Sequence, residues 1–193
     1  MLSDVQIKEL APRMGIPLEG IYFKDNLPNL EINKAYIINL ENQEDEEGNK
    51  NLGSHWVAFQ IFKTTEGHLL PFFFDSFGFA YPKELNKASR KLTKKMIGYS
   101  ARQLQDPFIS GACGWYCLAW LHFMNRQTGK YFKDDYMERY LDFLEMFDEK
   151  NQAHNDNILK MFFKEAPNSE DGGVNLPNDT SPEAGIQDLV IDV

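Results

Sequence analysis

Cysteine is scarce in this chain: two among 193 residues, at positions 113 and 117. That excludes a disulfide scaffold, and four residues apart on one helix the two thiols would be poorly aimed at each other. No apolar run approaches the roughly 18 residues needed to cross a bilayer. The opening MLSDVQIKELAPRMG lacks the basic-then-apolar layout of a secretory signal, so the expectation is a soluble, intracellular protein. Without secretion, the glycosylation pattern at Asn178-Asp179-Thr180 carries no meaning. A Gly-x-Ser-x-Gly elbow and a Gly-rich phosphate loop are both missing. Lys and Arg are absent after Lys164, where Glu165, Glu170, Asp171, Asp179, Glu183, Asp188 and Asp192 fall. Setting those seven acids aside from the 29 leaves 22 against 20 bases, so the body is near neutral and the net charge of -9 says little about partners.

What is present reads as one globular domain: 42% of the chain is hydrophobic and 13% aromatic, with 15 Phe. Residues 1–15 carry Leu2, Val5, Ile7, Leu10 and Met14 at roughly helical spacing, with Ser3 as cap. Pro17, Gly20 and Pro28 break 16–34 into turns around a short strand, AYIINL (35–40) reads as a strand, and 41–51 as an acidic exposed loop. WVAFQIF (56–62), TTEG and HLLPFFFD (68–75) predict a β-hairpin whose second strand is central, with Pro71 at its start. Residues 82–98 predict a helix with Leu85, Ala88, Leu92 and Met96 on one face, and 99–106 a short strand. CGWYCLAWLHFM (113–124) is apolar all round and predicts a buried central helix. Two amphipathic helices follow, at about 134–148 and 155–164. The tail from Ala166 predicts a disordered or loosely attached segment.

Four side chains on this scaffold have the makings of a thiol hydrolase. Cys113 opens the apolar helix, where unsatisfied N–H groups and the positive dipole end favour a thiolate. Gly114 would let the helix start approach a substrate. His55 is the base, with Gly53 and Ser54 giving open approach and Trp56 shielding the ring. Hairpin pairing brings Asp75 to the same end of the sheet, where it can hold the imidazole tautomer; it can equally cap the turn Ser76–Gly78. Gln105 can join the Cys113 backbone N–H as oxyanion donor, although Gln103, two residues away, can face the same way. Cys117, a turn further in, reads as a small buried hydrophobe.

The segments GSHWVAF, FFFDSFGF, QDP and ACGWYCLAWLHFM, in that order, resemble the adenovirus maturation protease (adenain) family, which is distantly related in fold to SUMO-specific proteases; GIYFKDNLP is a weaker match. The likeness spans roughly residues 10–125 and is greatest to the related proteases of virophages and polinton-type viruses. It implies an α+β fold, a mixed β-sheet packed against a central buried helix carrying the nucleophile. Residues 1–165 would be the cysteine protease domain and 166–193 an acidic tail. It implies His55 as base, Asp75 as its partner where adenain has Glu, Gln105 in the oxyanion hole and Cys113 as nucleophile. The Gln105–Cys113 gap reads one residue longer than the family pattern, and the cysteine that links adenain to its activating peptide has no match.

By that resemblance the chain is an endopeptidase cutting capsid or virion precursor proteins after small residues during particle maturation. It would work in the virion and the host-cell interior, with an activating peptide among its partners and no metal or organic cofactor. The alternatives are a deconjugating protease for SUMO or ubiquitin-like proteins, a non-catalytic virion protein keeping the fold, and acyl transfer on the same triad. The basic run 83–95 reads as a weak nucleic-acid contact or as a solvated helix face. Cys113, Cys117 and His122 lack a fourth ligand for a metal site. Gly172-Gly173 reads as a self-cleavage or occluding segment, or as a flexible turn.

Overall fold

The computed structural model describes residues 1–108, 111–126, 134–164 and 191–192. Ser3 starts the first helix, α1 (Asp4–Arg13), through a capping box: its hydroxyl accepts from the Gln6 N–H at 3.2 Å, and the Gln6 side chain accepts from the Ser3 N–H at 2.9 Å. Four strands follow, β1 (Leu18–Phe23), β2 (Ala35–Asn39), β3 (Trp56–Lys63) and β4 (Leu69–Phe74). They form one mixed sheet in the order β1-β2-β3-β4, with β1 parallel to β2 and the remaining pairs antiparallel. Helices α2 (Lys83–Ser89), α3 (Cys113–Asn125), α4 (Tyr136–Glu145) and α5 (Gln152–Met161) complete the main body. Two-residue strands β5 (Phe163–Lys164) and β6 (Ile191–Asp192) pair in parallel. No helix among the described residues is long and apolar enough to cross a membrane.

Both faces of the sheet are covered, which is why its strands read as near-continuous apolar runs. Alternate residues Ala35, Ile37, Ala58, Phe62, Phe72 and Phe74 pack with α1, α3, α4 and α5 in one core. The opposite set, Tyr36, Ile38, Val57, Phe59, Ile61 and Phe73, packs with Leu30, Leu85 and Ile97 in a second. Ten of the thirteen residues of α3 are buried, as its unbroken apolar surface requires. Gln60 and Asn125 exchange reciprocal amide hydrogen bonds of 2.9 and 2.8 Å, satisfying the polar groups that β3 and α3 bring together.

Three local expectations fail, each for a physical reason. β4 is an edge strand, not a central one, and Pro71 sits within it opposite Ile61. The Pro71 carbonyl and Phe73 N–H face outward to Gly98, so the missing Pro71 N–H also falls on the outer side, where no neighbouring strand needs it. The helix at 82–98 stops at Ser89, because Gly98 must return to bridge Phe72 and Ile97 must enter the second core; Leu92 and Met96 are left exposed. Residues 99–106 form no strand. They run extended, with the Leu104 and Gln105 N–H groups both donating to the Ser76 carbonyl, at 2.9 and 3.0 Å. The tail from Ala166, with Gly172-Gly173 and Asn178–Thr180, lies outside the described residues save for Ile191–Asp192.

Candidate active site

His55 immediately precedes β3 and Asp75 immediately follows β4, so the hairpin brings them to one end of the sheet. His55 Nε2 and Asp75 Oδ1 are 2.6 Å apart, with the side chains 9% and 0% exposed. The two roles open to Asp75 are both realised. Its carboxylate also accepts from the Phe77 N–H (2.8 Å) and the Phe79 N–H (3.2 Å), and its carbonyl from the Gly78 N–H (3.0 Å). The turn therefore fixes the carboxylate before it meets the imidazole.

The ring that shields His55 is Phe77, not Trp56. Its centroid lies 3.8 Å from the imidazole's, with 6° between the planes. Trp56 instead packs in the core beside α3 and donates its indole N–H to the Leu2 carbonyl at 3.0 Å. The signal for Phe77 was in the hairpin register. Gly67, at φ +86°, turns the loop after Thr64 pairs with His68, the three-residue hairpin geometry. Counting back along the pairing of Ala58 with Phe74 then sets residue 77 opposite residue 55.

Asp75 occupies Nε2, so Nδ1, buried and without a hydrogen-bond partner among the described residues, is the nitrogen left for Cys113. The thiol's contact in the resting geometry is looser than a full hydrogen bond, yet it acts on the imidazole's charge. Burial, the largest influence, pushes the His55 pKa down. Bonding to Asp75, the polar contact with Cys113 and the negative charge of both outweigh it and raise the pKa to about 9. The imidazolium is the favoured state at neutral pH, and it is a suitable counter-ion for a thiolate.

Cys113 is the first residue of α3, 1% exposed and not in a disulfide. No side chain among the described residues caps this helix through Ala112, so its first-turn N–H groups are open to an anion. Gly114 is closely packed: a Cβ there would lie 3.1 Å from Leu2 and 3.4 Å from Trp56. Cys117, fully buried, donates its S–H to the Trp56 carbonyl at 3.3 Å, and burial holds its pKa well above the usual thiol value. His122 Nδ1 donates to the Met14 carbonyl at 2.7 Å. Among the described residues no group of three or more His, Cys, Asp or Glu is placed to hold a metal.

Gln105 joins the cluster through Ser76, the neighbour of Asp75. Ser76 Oγ donates to Gln105 Oε1 at 2.8 Å, which makes the amide's oxygen the accepting end and its NH₂ the donating end. Gln105 is fully buried, whereas Gln103 is exposed and directs its own amide to the Gln105 carbonyl at 3.2 Å. The close approach of the two segments depends on Gly78. It holds φ +77°, and a Cβ there would fall 2.6 Å from the Ala101 carbonyl oxygen. Four residues singled out in the sequence are thus linked, Cys113 to His55, His55 to Asp75, and Gln105 to Ser76 beside Asp75. The turn Ser76–Gly78, read there only as one Asp75 could cap, proves to supply contacts to the imidazole and to Gln105. No protein-family model matches the chain, and no curated protein matches it.

Proposed function

We propose that this chain is a cysteine endopeptidase with an adenain-like fold, working through a Cys113–His55–Asp75 triad and Gln105 as oxyanion donor. The observation that carries the reading is His55 itself. One ring nitrogen is bound to a buried carboxylate, the other is left for a cysteine at an uncapped helix start, and the pKa is lifted to about 9. The Cys113 thiolate attacks the scissile carbonyl carbon, and the oxyanion is held by the Gln105 NH₂ and the Cys113 N–H. His55 gives its proton to the departing amine as the C–N bond breaks, leaving a thioester. It then takes a proton from water, whose oxygen attacks the thioester and releases the acid and the thiolate.

The nucleophile's 1% exposure supports small residues at the scissile bond. The substrates in this reading are capsid or virion precursor proteins cut during particle maturation, bound extended along the cleft. The six cations from Lys83 to Lys95 are all exposed, and a weak, salt-sensitive contact with nucleic acid belongs to the same reading.

The test is incubation with the major capsid precursor from the same source, followed by N-terminal sequencing of fragments. Cleavage by the wild type and none by Cys113→Ala is expected. Cleavage of a ubiquitin-like fusion with the precursor left intact would move the assignment to a deconjugating protease. Iodoacetamide should label Cys113 well before Cys117, and an unreactive Cys113 would sink the hydrolase reading.

A further inference from the structure

We propose that Asn155, on α5, is the positioning residue that sets the oxyanion donor Gln105, so that the α4–α5 junction governs turnover while contributing no reacting atom. This inference rests on the hydrolase reading of Cys113. Asn155 is fully buried and uses both amide hydrogens, one on the Leu104 carbonyl and one on the Asp148 carbonyl, each at 2.8 Å. Its own oxygen accepts from the Asp148 N–H at 2.8 Å. The Leu104 carbonyl and the Gln105 N–H are opposite ends of one peptide plane. Ser76 holds the N–H end, at 3.0 Å, and Asn155 holds the carbonyl end. A plane pinned at both ends fixes the direction in which Gln105 leaves the backbone, and Ser76 Oγ then fixes its amide.

Other groups at this junction reinforce the clamp without replacing it. The Tyr116 hydroxyl lies 3.4 Å from the Leu104 carbonyl but also 3.3 Å from Asp156 Oδ1, and it has a single proton to give. Arg102, three residues before Gln105, donates to the Phe147 carbonyl at 3.0 Å and pairs with Glu149. Residues 102–105 are thus tied to the α4–α5 junction, and Asn155 bonds the Leu104 carbonyl at 2.8 Å, more closely than Tyr116 does at 3.4 Å. A helix more than forty residues downstream of the hairpin and beyond the nucleophile helix therefore reaches the oxyanion side of the site.

The experiment is a double-mutant cycle on the purified chain, using the fastest-cut member of a peptide library carrying small residues at the scissile bond. Gln105→Ala should lower kcat by roughly 10²–10³-fold, and Asn155→Ala by about tenfold, each with KM little changed. The double variant should be no slower than Gln105→Ala alone, because Asn155 acts through Gln105. Alkylation of Cys113 by iodoacetamide, which develops no oxyanion, should proceed at the wild-type rate in Asn155→Ala. Independent losses that multiply, an unchanged kcat, or slowed alkylation would overturn the proposal. Should Asn155→Ala fail to fold, Asn155→Ser, keeping one donor and one acceptor, enters the same cycle with a smaller loss expected. A wild type that neither alkylates at Cys113 nor cuts any peptide would overturn the hydrolase reading and this inference with it. A working wild type with an additive cycle would overturn this inference alone.

Discussion

At His55 two groups act on one proton, and they can be separated. Asp75→Asn keeps the shape of the partner and one acceptor oxygen but removes the negative charge that helps raise the imidazole pKa. Cleavage should fall by about 10²–10⁴-fold, the range for a misplaced acid–base group. The alkaline limb of the pH–rate profile, expected near pH 9 where His55⁺ is lost as general acid, should move to lower pH. Phe77→Leu tests the stacked ring. An imidazolium against an aromatic face gains roughly 0.5–2 kcal/mol, so the same limb should move down by roughly 0.4–1.5 pH units. Titration of the His55 ring by NMR checks both variants. An unmoved limb in Phe77→Leu would mean that the ring only excludes water.

The elements differ in how far the sequence announces them. The β3–β4 hairpin and α3 are legible, because a turn with Gly67 and an unbroken apolar run leave few alternatives. They carry or flank His55, Asp75 and Cys113, so the grouping of these three side chains was legible with them. The basic segment after Ser89 has helical spacing at Leu92 and Met96, but the tertiary bridge between Gly98 and Phe72 overrides it. Likewise residues 99–106 read as a short strand and form none, since alternation does not say whether a neighbour is available to pair. Two glycines separate backbone strain from the site's geometry. Both hold positive φ, +77° at Gly78 and +86° at Gly67, but a Cβ at Gly67 meets nothing within 4 Å, while at Gly78 it strikes the Ala101 carbonyl. Gly67→Ala should cost roughly 1–2 kcal/mol from backbone conformation alone, with kcat unchanged. Gly78→Ala should cost more in urea unfolding and should also lower kcat, by displacing the Asp75 turn from residues 101–105. Equal kcat in the two variants would detach the turn from the chemistry.

For the molecule as a whole, two histidines pull stability in opposite directions with pH. The His55 pKa is raised from 6.5 to about 9, so the folded state holds a proton that the unfolded chain releases earlier. Its contribution is complete below about pH 6.5 and is lost as pH rises through about 9. His122 is the reverse. Burial is the main cause of its lowered pKa, with the nearby Arg126 charge adding to it against the bond to Met14. The unfolded chain therefore binds the extra proton first, and this penalty is absent above about pH 6.5 and grows as pH falls below it. The buried thiol Cys117 and the tyrosines Tyr116 and Tyr140, all raised, enter only at the alkaline end, near or above the ordinary thiol value of 9.0. Urea midpoints from pH 5 to 9 should consequently describe a dome with its top near 6.5. Asp75→Asn should flatten the alkaline side, and His122→Asn, whose amide can still donate toward Met14, should flatten the acidic side. Each substitution should leave the other limb intact, because the two histidines sit at opposite ends of α3, one beside Cys113 and the other a turn before Asn125. If one substitution flattened both limbs, the two titrations would be coupled through the helix, and the separate origins assigned to them would be wrong.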